Sequence, residues 1–166
     1  MSDTYSKINI QIVFAVKNRQ ALIKPEWEIK LHKYITGIIQ GKDQILIAIN
    51  GMPDHIHILI GMRPTCCLSD LVREIKKAST AYIKEEKLTE FPFRWQEGFG
   101  AFSYSAWDVN KIVNYIGRQK EHHAKTNFEK EYNELLREFE VEFKKEHLFE
   151  WILEECDPAG VGEFVR

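Results

Sequence analysis

The stretch QILIAINGMPDHIHILIG, residues 44–61, decides how this chain folds. Two aliphatic runs, QILIAIN (44–50) and HIHILIG (55–61), flank GMPD, whose Gly, Pro and Asp supply turn chemistry, so the segment predicts a β-hairpin. Side chains alternate between the two faces of a strand. If Ile56, Ile58 and Ile60 point toward a core, His55 and His57 point the opposite way.

Working outward, KINIQIVFAV (7–16) alternates Ile8, Ile10, Ile12, Phe14 and Val16 against Asn9 and Gln11, the period of a half-buried first strand. Trp27, Leu31, Tyr34, Ile35 and Ile38 recur at helical spacing from Pro25, a favourable first-turn residue, to about Gln40. Leu68, Leu71, Val72, Ile75, Ala78 and Tyr82 make a second helix that fades in KEEKL. AFSYS (101–105) reads as a fourth strand. Ser105 and Asp108 form a capping-box pattern that opens a helix over about 108–124 with Val109, Ile112, Val113 and Ile116 on its apolar face. The order is β-α-β-β-α-β, which predicts an α+β, ferredoxin-like antiparallel sheet with both crossover helices on one face. The other face is expected to lie open to a ligand, lined by His55, His57, Asn9 and Gln11. A tyrosine-bearing helix and a helical tail follow.

Composition narrows the function classes. With 166 residues, 44% hydrophobic and 12% aromatic, the chain has material for one core. No run approaches the roughly 18 apolar residues of a membrane span, and MSDTYSK lacks the apolar stretch of a signal peptide. A cytoplasmic protein is expected. Cys66 and Cys67 are adjacent and Cys156 is remote, which fits free thiols rather than a disulfide framework or a zinc site. Residues 1–125 carry 18 Lys+Arg against 13 Asp+Glu, whereas 126–166 carry 5 against 12. A basic body that faces a polyanion and an acidic extension are therefore expected, with the boundary near residue 125. In the extension, Phe128, Tyr132, Leu135, Leu136 and Phe139 form an apolar stripe, KKEHLFEWILEE continues as helical sequence, and DPAGVGEFVR reads as a loose end.

Two imidazoles at i and i+2 on a strand sit roughly 6–7 Å apart at their backbones and can share one cation if a third ligand joins them. Alone, the pattern also fits two ordinary histidines. In the helix near 108–124, Tyr115, Gln119 and His122 form an i, i+4, i+7 stripe at the shoulder of the apolar face, which suits either a site or the boundary of an amphipathic helix. Gly117 inside that helix costs about 1 kcal/mol relative to Ala and suggests a close backbone approach or a loosened helix.

Taken together, PDHIHILI, WQEGFGAFSYS and VNKIVNYIGRQKEHH resemble the TnpA-type single-tyrosine transposases of the HUH superfamily, IS200/IS605-like insertion-sequence enzymes that act on single-stranded DNA. The likeness spans about residues 5–125. It implies metal-binding His55 and His57, nucleophile Tyr115 and a further metal ligand, Gln119, one helical turn on. It also implies Mg²⁺ or Mn²⁺, DNA with hairpin ends, and a homodimer, with the tyrosine helix completing the histidine pair either of its own subunit or of its partner.

The chemistry is coherent. A cation on His55, His57 and Gln119 keeps its full charge for polarising phosphate, because none of these ligands is anionic. A phenol of pKa about 10 needs a cation or base to become nucleophilic, and Lys111 or Arg118 are candidates beside the metal. A phosphotyrosine ester conserves the bond energy for rejoining. Gln at position 119 separates the chain from relatives with two tyrosines one turn apart.

For DNA contact, Lys17, Arg19, Arg73, Lys76, Lys77, Arg118 and His122 are candidates, with Trp95, Phe99, Phe102 and Tyr104 for stacking on unpaired bases. His122 and His123 could instead join the metal shell or cap the helix end. Leu59 excludes a histidine-triad hydrolase, which needs a third alternate His, and no second H-x-Thr/Ser copy supports a 2H phosphodiesterase. A domesticated, non-cutting DNA- or hairpin-binding protein is the remaining alternative.

Overall fold

The computed structural model describes residues 4–144 and Leu148. Its strands are β1 (Asn9–Ala15), β2 (Ile45–Met52), β3 (His55–Gly61) and β4 (Gly100–Tyr104); its helices are α1 (Pro25–Gly41), α2 (Leu68–Glu85), α3 (Val109–Gly117), α4 (Gln119–His123) and α5 (Phe128–Glu138). The sheet order is β2-β3-β1-β4, antiparallel throughout, which is the expected split arrangement. Most of KKEHLFEWILEE, DPAGVGEFVR and Cys156 lie outside the described residues. Cys66 and Cys67 are free thiols. No described helix is long and apolar enough to cross a membrane.

Parity sorts the core as the alternation requires. Ile12, Phe14, Val16, Ile56, Ile58 and Ile60 pack against Leu31, Ile35 and Ile39 of α1 and Leu71, Val72, Ile75 and Ile83 of α2. Each such buried side chain contributes about 1.5–3 kcal/mol of transfer free energy. The hairpin is tighter than expected: the strands run to Met52 and from His55, leaving Pro53 and Asp54 as the turn. Gly51 permits this, because a Cβ there would lie 2.4 Å from the His55 carbonyl oxygen. A Gly51→Ala protein should lose about 1–3 kcal/mol from this backbone collision, read as a lowered denaturant midpoint at unchanged m-value. A register shift between Leu46 and Ala48 breaks the alternation of β2. It leaves Leu46 and Ile49 against the α1/α2 core, and Ile47 and Ala48 against the other face.

That other face is not open, contrary to the sequence expectation. α3 places Ile112 and Ile116 on Leu59, and α5 places Phe128, Tyr132, Leu135 and Leu136 on Val13, Ala15 and Phe102. The reason is chemical: only part of the face is polar, and its apolar residues need cover. α5 docks at Gly100, where a Cβ would lie 2.7 Å from the Tyr132 hydroxyl.

The expected single helix over 108–124 is also two. α3 ends at Gly117, Arg118 turns out of helical geometry (φ −102°, ψ 23°), and α4 begins at Gln119. A Cβ at Gly117 would meet nothing within 4 Å, so the glycine loosens the helix rather than admitting a close neighbour. Asn50 of β2 holds the break by donating its Nδ2 to the carbonyls of Ile116 (3.0 Å) and Gly117 (3.3 Å). Nor does the Ser105–Asp108 box form as drawn. Helix α3 starts at Val109, and the Ser105 hydroxyl donates to the Asp108 carboxylate at 2.8 Å instead of capping backbone amides.

Candidate functional site

The β1/β3 register sets Ala15 opposite His55 and Val13 opposite His57, so small or apolar neighbours leave space beside the imidazoles. Both histidines are buried, at 1% and 0% exposure. Their Nδ1 atoms are held from behind. His55 Nδ1 lies 2.7 Å from Asp54 Oδ1, and His57 Nδ1 lies 2.9 Å from the Gln11 side-chain amide, whose oxygen accepts from the Tyr104 hydroxyl at 2.8 Å. Both Nε2 atoms face one carboxylate, Glu131 of α5: His55 at 3.6 Å and His57 at 3.5 Å.

Glu131 gathers the rest of the site. It accepts from the Tyr115 hydroxyl in a short hydrogen bond and from Gln119 Nε2 at 2.9 Å, and it pairs with His123 Nε2 at 2.7 Å. His122 Nε2 lies 3.7 Å away. Gln119 Oε1 is 3.4 Å from His55 Nε2. One chain thus brings Tyr115, Gln119 and both β3 histidines around a single buried carboxylate, with the Tyr115 and His57 rings 5.9 Å apart.

Glu131 was not anticipated from sequence. It sits three residues after Phe128 and four before Leu135, so the stripe that buries those residues buries it too. A carboxylate inside an apolar stripe is the signal that marks it.

The electrostatics follow. Burial pushes His55 below the ordinary imidazole value despite Asp54, which keeps it neutral and its Nε2 lone pair available. Burial would raise Asp54, yet the His55 hydrogen bond and the Arg19 charge hold it low. Burial likewise opposes ionisation of Glu131, but the His123 hydrogen bond, the facing His57 imidazole and the Tyr115 hydrogen bond outweigh it and hold the group far below the usual carboxylate range. Burial first, then the Glu131 charge, raises the Tyr115 phenol well above its ordinary value. As arranged here, Tyr115 is a protonated hydrogen-bond donor.

A metal-ion test can be made on the donor set. His55, His57 and Glu131 offer ligand atoms all within 4.8 Å of one another, and His57 Nε2 is buried with no hydrogen-bond partner. The carboxylate behind His55 Nδ1 fixes the tautomer that leaves Nε2 free, as metal-binding histidines require. For His57, a rotation of the Gln11 amide by 180° supplies the same, since amide oxygen and nitrogen exchange places without moving heavy atoms. The residues fit a divalent cation.

Tyr115 lines a cleft of about 350 Å³ together with Lys111, Arg118, Lys125, His122 and one acid, Glu121. The remaining candidates sort unevenly. Arg118 and Lys77 are exposed and Lys17 half-buried. Arg19 pairs with Asp54 at 3.0 Å and lies over the Phe128 ring, Arg73 pairs with Asp70 at 2.6 Å, and Lys76 donates to the carbonyls of Gln96 and Gly98. Two proposed stacking residues are core instead. Trp95 packs edge-on to Phe14 and donates to Ser79, and Phe102 lies against Tyr132 and Phe139. Tyr104 is tied to Gln11, and Phe99 is half-buried.

A family model described as "Transposase IS200 like" matches residues 4–119, most of the chain. The chain belongs to the IS200-like transposase family. Two solved structures share its fold. One is a transposase-class protein from Deinococcus radiodurans R1, with TM-score 0.59 and 22% identity, covering 72% of this chain and 95% of its own. The other is a REP-associated tyrosine transposase bound to a REP hairpin, with TM-score 0.57 and 19% identity, covering 76% of this chain and 74% of its own. No curated protein matches the sequence. The IS200-like match stops at Gln119, so Glu131 and α5 lie beyond the matched segment.

Proposed function

We propose that this IS200-like transposase cleaves and rejoins single-stranded DNA at the hairpin-bearing ends of its element through a 5′-phosphotyrosine on Tyr115. The observation that carries the reading is the convergence of the Tyr115 hydroxyl and the His55–His57 pair on Glu131, beside a cleft walled by Lys111, Arg118 and Lys125.

The cations of the cleft hold the backbone of the scissile strand across the phenol, and the unpaired state of the strand lets it bend into that space. The Tyr115 oxygen attacks phosphorus, the bond to the 3′-oxygen breaks, and the strand leaves with a free 3′-hydroxyl. The Tyr115 hydroxyl, held at rest by Glu131, gives its proton to water as it attacks, and water protonates the leaving 3′-oxygen; in rejoining, the 3′-hydroxyl of the second end loses its proton to water as it attacks the ester, and the departing Tyr115 oxygen regains one.

His55 and His57 with Glu131, or with Gln119 as the family resemblance implies, would hold Mg²⁺ or Mn²⁺. When bound, such an ion polarises the phosphate and favours phenolate. Two imidazole ligands favour Mn²⁺, since Mg²⁺ prefers an oxygen shell. An Asp54→Ala protein should therefore bind Mn²⁺ about 10- to 100-fold more weakly by titration calorimetry, because His55 loses the group that orients it.

Domain 1–125 is proposed as the catalytic unit and 126–166 as an acidic extension whose α5 lends Glu131 to the site. A homodimer is proposed as the working assembly, although the chain's own tyrosine already reaches its own histidines. The decisive experiment mixes the protein with a single strand carrying an element-end hairpin and Mn²⁺, then resolves products on a denaturing gel. A slow-migrating protein–DNA adduct is expected, lost on chelation and absent with blunt duplex. Tight binding without any adduct would instead identify a DNA-holding protein that does not cut.

A further inference from the structure

On the α1/α2 side of the molecule, away from the histidine cluster, the segment 94–99 leans against α2 and leaves a groove of about 540 Å³. Its rim carries Arg73, Lys76, Lys77 and Arg94 against one acid, Glu97. Its interior is apolar, with Val72, Trp95 and Phe99.

The groove is a built feature. Trp95 is fixed by its indole N–H to Ser79 Oγ at 2.8 Å, and Ser79 in turn donates to the Ile75 carbonyl at 2.6 Å. Lys76 clamps the segment through the carbonyls of Gln96 and Gly98. The far wall is anchored to the catalytic strand end: Lys17 N–H donates to the Arg94 carbonyl and Gln96 N–H to the Ala15 carbonyl, and Ala15 pairs with His55.

One lining residue has unmet bonding capacity. Gln96 is only 8% exposed, yet its side-chain oxygen is buried with no hydrogen-bond partner. A buried amide oxygen left unpaired is costly, and such atoms are ordinarily satisfied by a ligand or by water. The surroundings specify the ligand: an apolar trough for a flat ring, an acceptor for a ring N–H or amino group, and cations for flanking phosphates.

We infer that the groove between α2 and residues 94–99 binds an unpaired nucleotide of the substrate strand, its base against the half-buried Phe99 ring over a floor closed by the core residue Trp95, with its edge on Gln96 and its phosphates on Lys77 and Arg94. The inference rests on the reading of single-stranded DNA as substrate. It assigns Gln96 a positioning and specificity role that no catalytic argument requires. A hairpin duplex would not fill the apolar trough, because its bases are stacked inward.

The test uses the full chain and fluorescent strands bearing the hairpin and its unpaired flank. In a Lys77→Gln, Arg94→Gln protein, the slope of log affinity against log salt should fall by about 1.4, two single-strand phosphates at about 0.7 each. An abasic residue is then walked along the flank. At one position it should weaken binding to the native protein about tenfold, and there Gln96→Leu should add no further loss. An unchanged salt slope, or no position coupled to Gln96, overturns the groove. A slope change seen equally with the hairpin alone also overturns it, since that assigns the cations to duplex. Adduct formation is scored on the same strands at saturating DNA. A missing adduct with native protein defeats the proposed reaction but leaves the groove standing, and a normal adduct with unaltered binding does the reverse.

Discussion

A Tyr115→Phe protein is expected to bind hairpin-bearing single strands as tightly as the native protein and to form no covalent adduct, a loss of at least about 10³-fold. The expectation follows from which tyrosine lines the cleft. Tyr104 spends its hydroxyl on Gln11 and is raised far above its ordinary pKa by burial. Tyr132 is pushed up to about 12 by burial and packs under α5 against Phe102 and Phe128. Neither borders the space between Arg118 and Lys125. Removing the Tyr115 hydroxyl leaves Glu131 with Gln119 and His123 as partners, so the fold should lose only about 1–2 kcal/mol. Comparable melting temperatures and binding curves, set beside an empty adduct lane, would isolate the chemical step. An adduct that persists at native yield means that another nucleophile does the work.

The residues that were legible in the sequence are those governed by strict periodicity. Alternation in KINIQIVFAV and HIHILIG set both strands and the faces of His55 and His57, and the i, i+3, i+4 spacing of α2 placed its core stripe, all of which the packing repeats. What failed depended on contacts between distant segments. The free sheet face was inferred from Asn9, Gln11 and the histidines, whereas Val13, Ala15, Leu59 and Phe102 share that face and recruit α3 and α5. The break at Arg118 had a local sign in Gly117, yet its position is set by Asn50, 67 residues away in sequence from Gly117. Trp95 and Phe102 stood open between base stacking and core, because a short segment carries no pattern strong enough to decide, and packing puts both in the core. The family resemblance supplied Tyr115 and Gln119 but ended before Glu131, the residue on which both side chains close.

Glu131 therefore carries the second large effect: Glu131→Gln should lower Mn²⁺ affinity at least about 100-fold. The change preserves size and hydrogen-bonding capacity but withdraws the one anion among the described residues that His55 and His57 both face. Two neutral imidazoles and amides remain, a donor set far weaker for a hard divalent ion than one with a carboxylate. The same substitution acts on the nucleophile. Burial still raises the Tyr115 phenol, but the Glu131 charge no longer adds to it, so the alkaline limb of adduct formation should move to lower pH. At saturating Mn²⁺ the variant should recover much of the adduct, which separates a binding defect from loss of the nucleophile. Stability gives an independent check of sign. Glu131 is held below its unfolded carboxylate value of 4.5, so its contribution is present above that pH and disappears only in much stronger acid. The native protein should accordingly exceed the variant by about 1–3 kcal/mol at neutral pH, with the gap closing as the carboxylate protonates. If Mn²⁺ affinity changes less than about threefold and the adduct forms faster at limiting metal, Glu131 serves as a hold on the Tyr115 proton. The metal-binding role then passes to Gln119, whose side-chain oxygen already lies 3.4 Å from His55 Nε2.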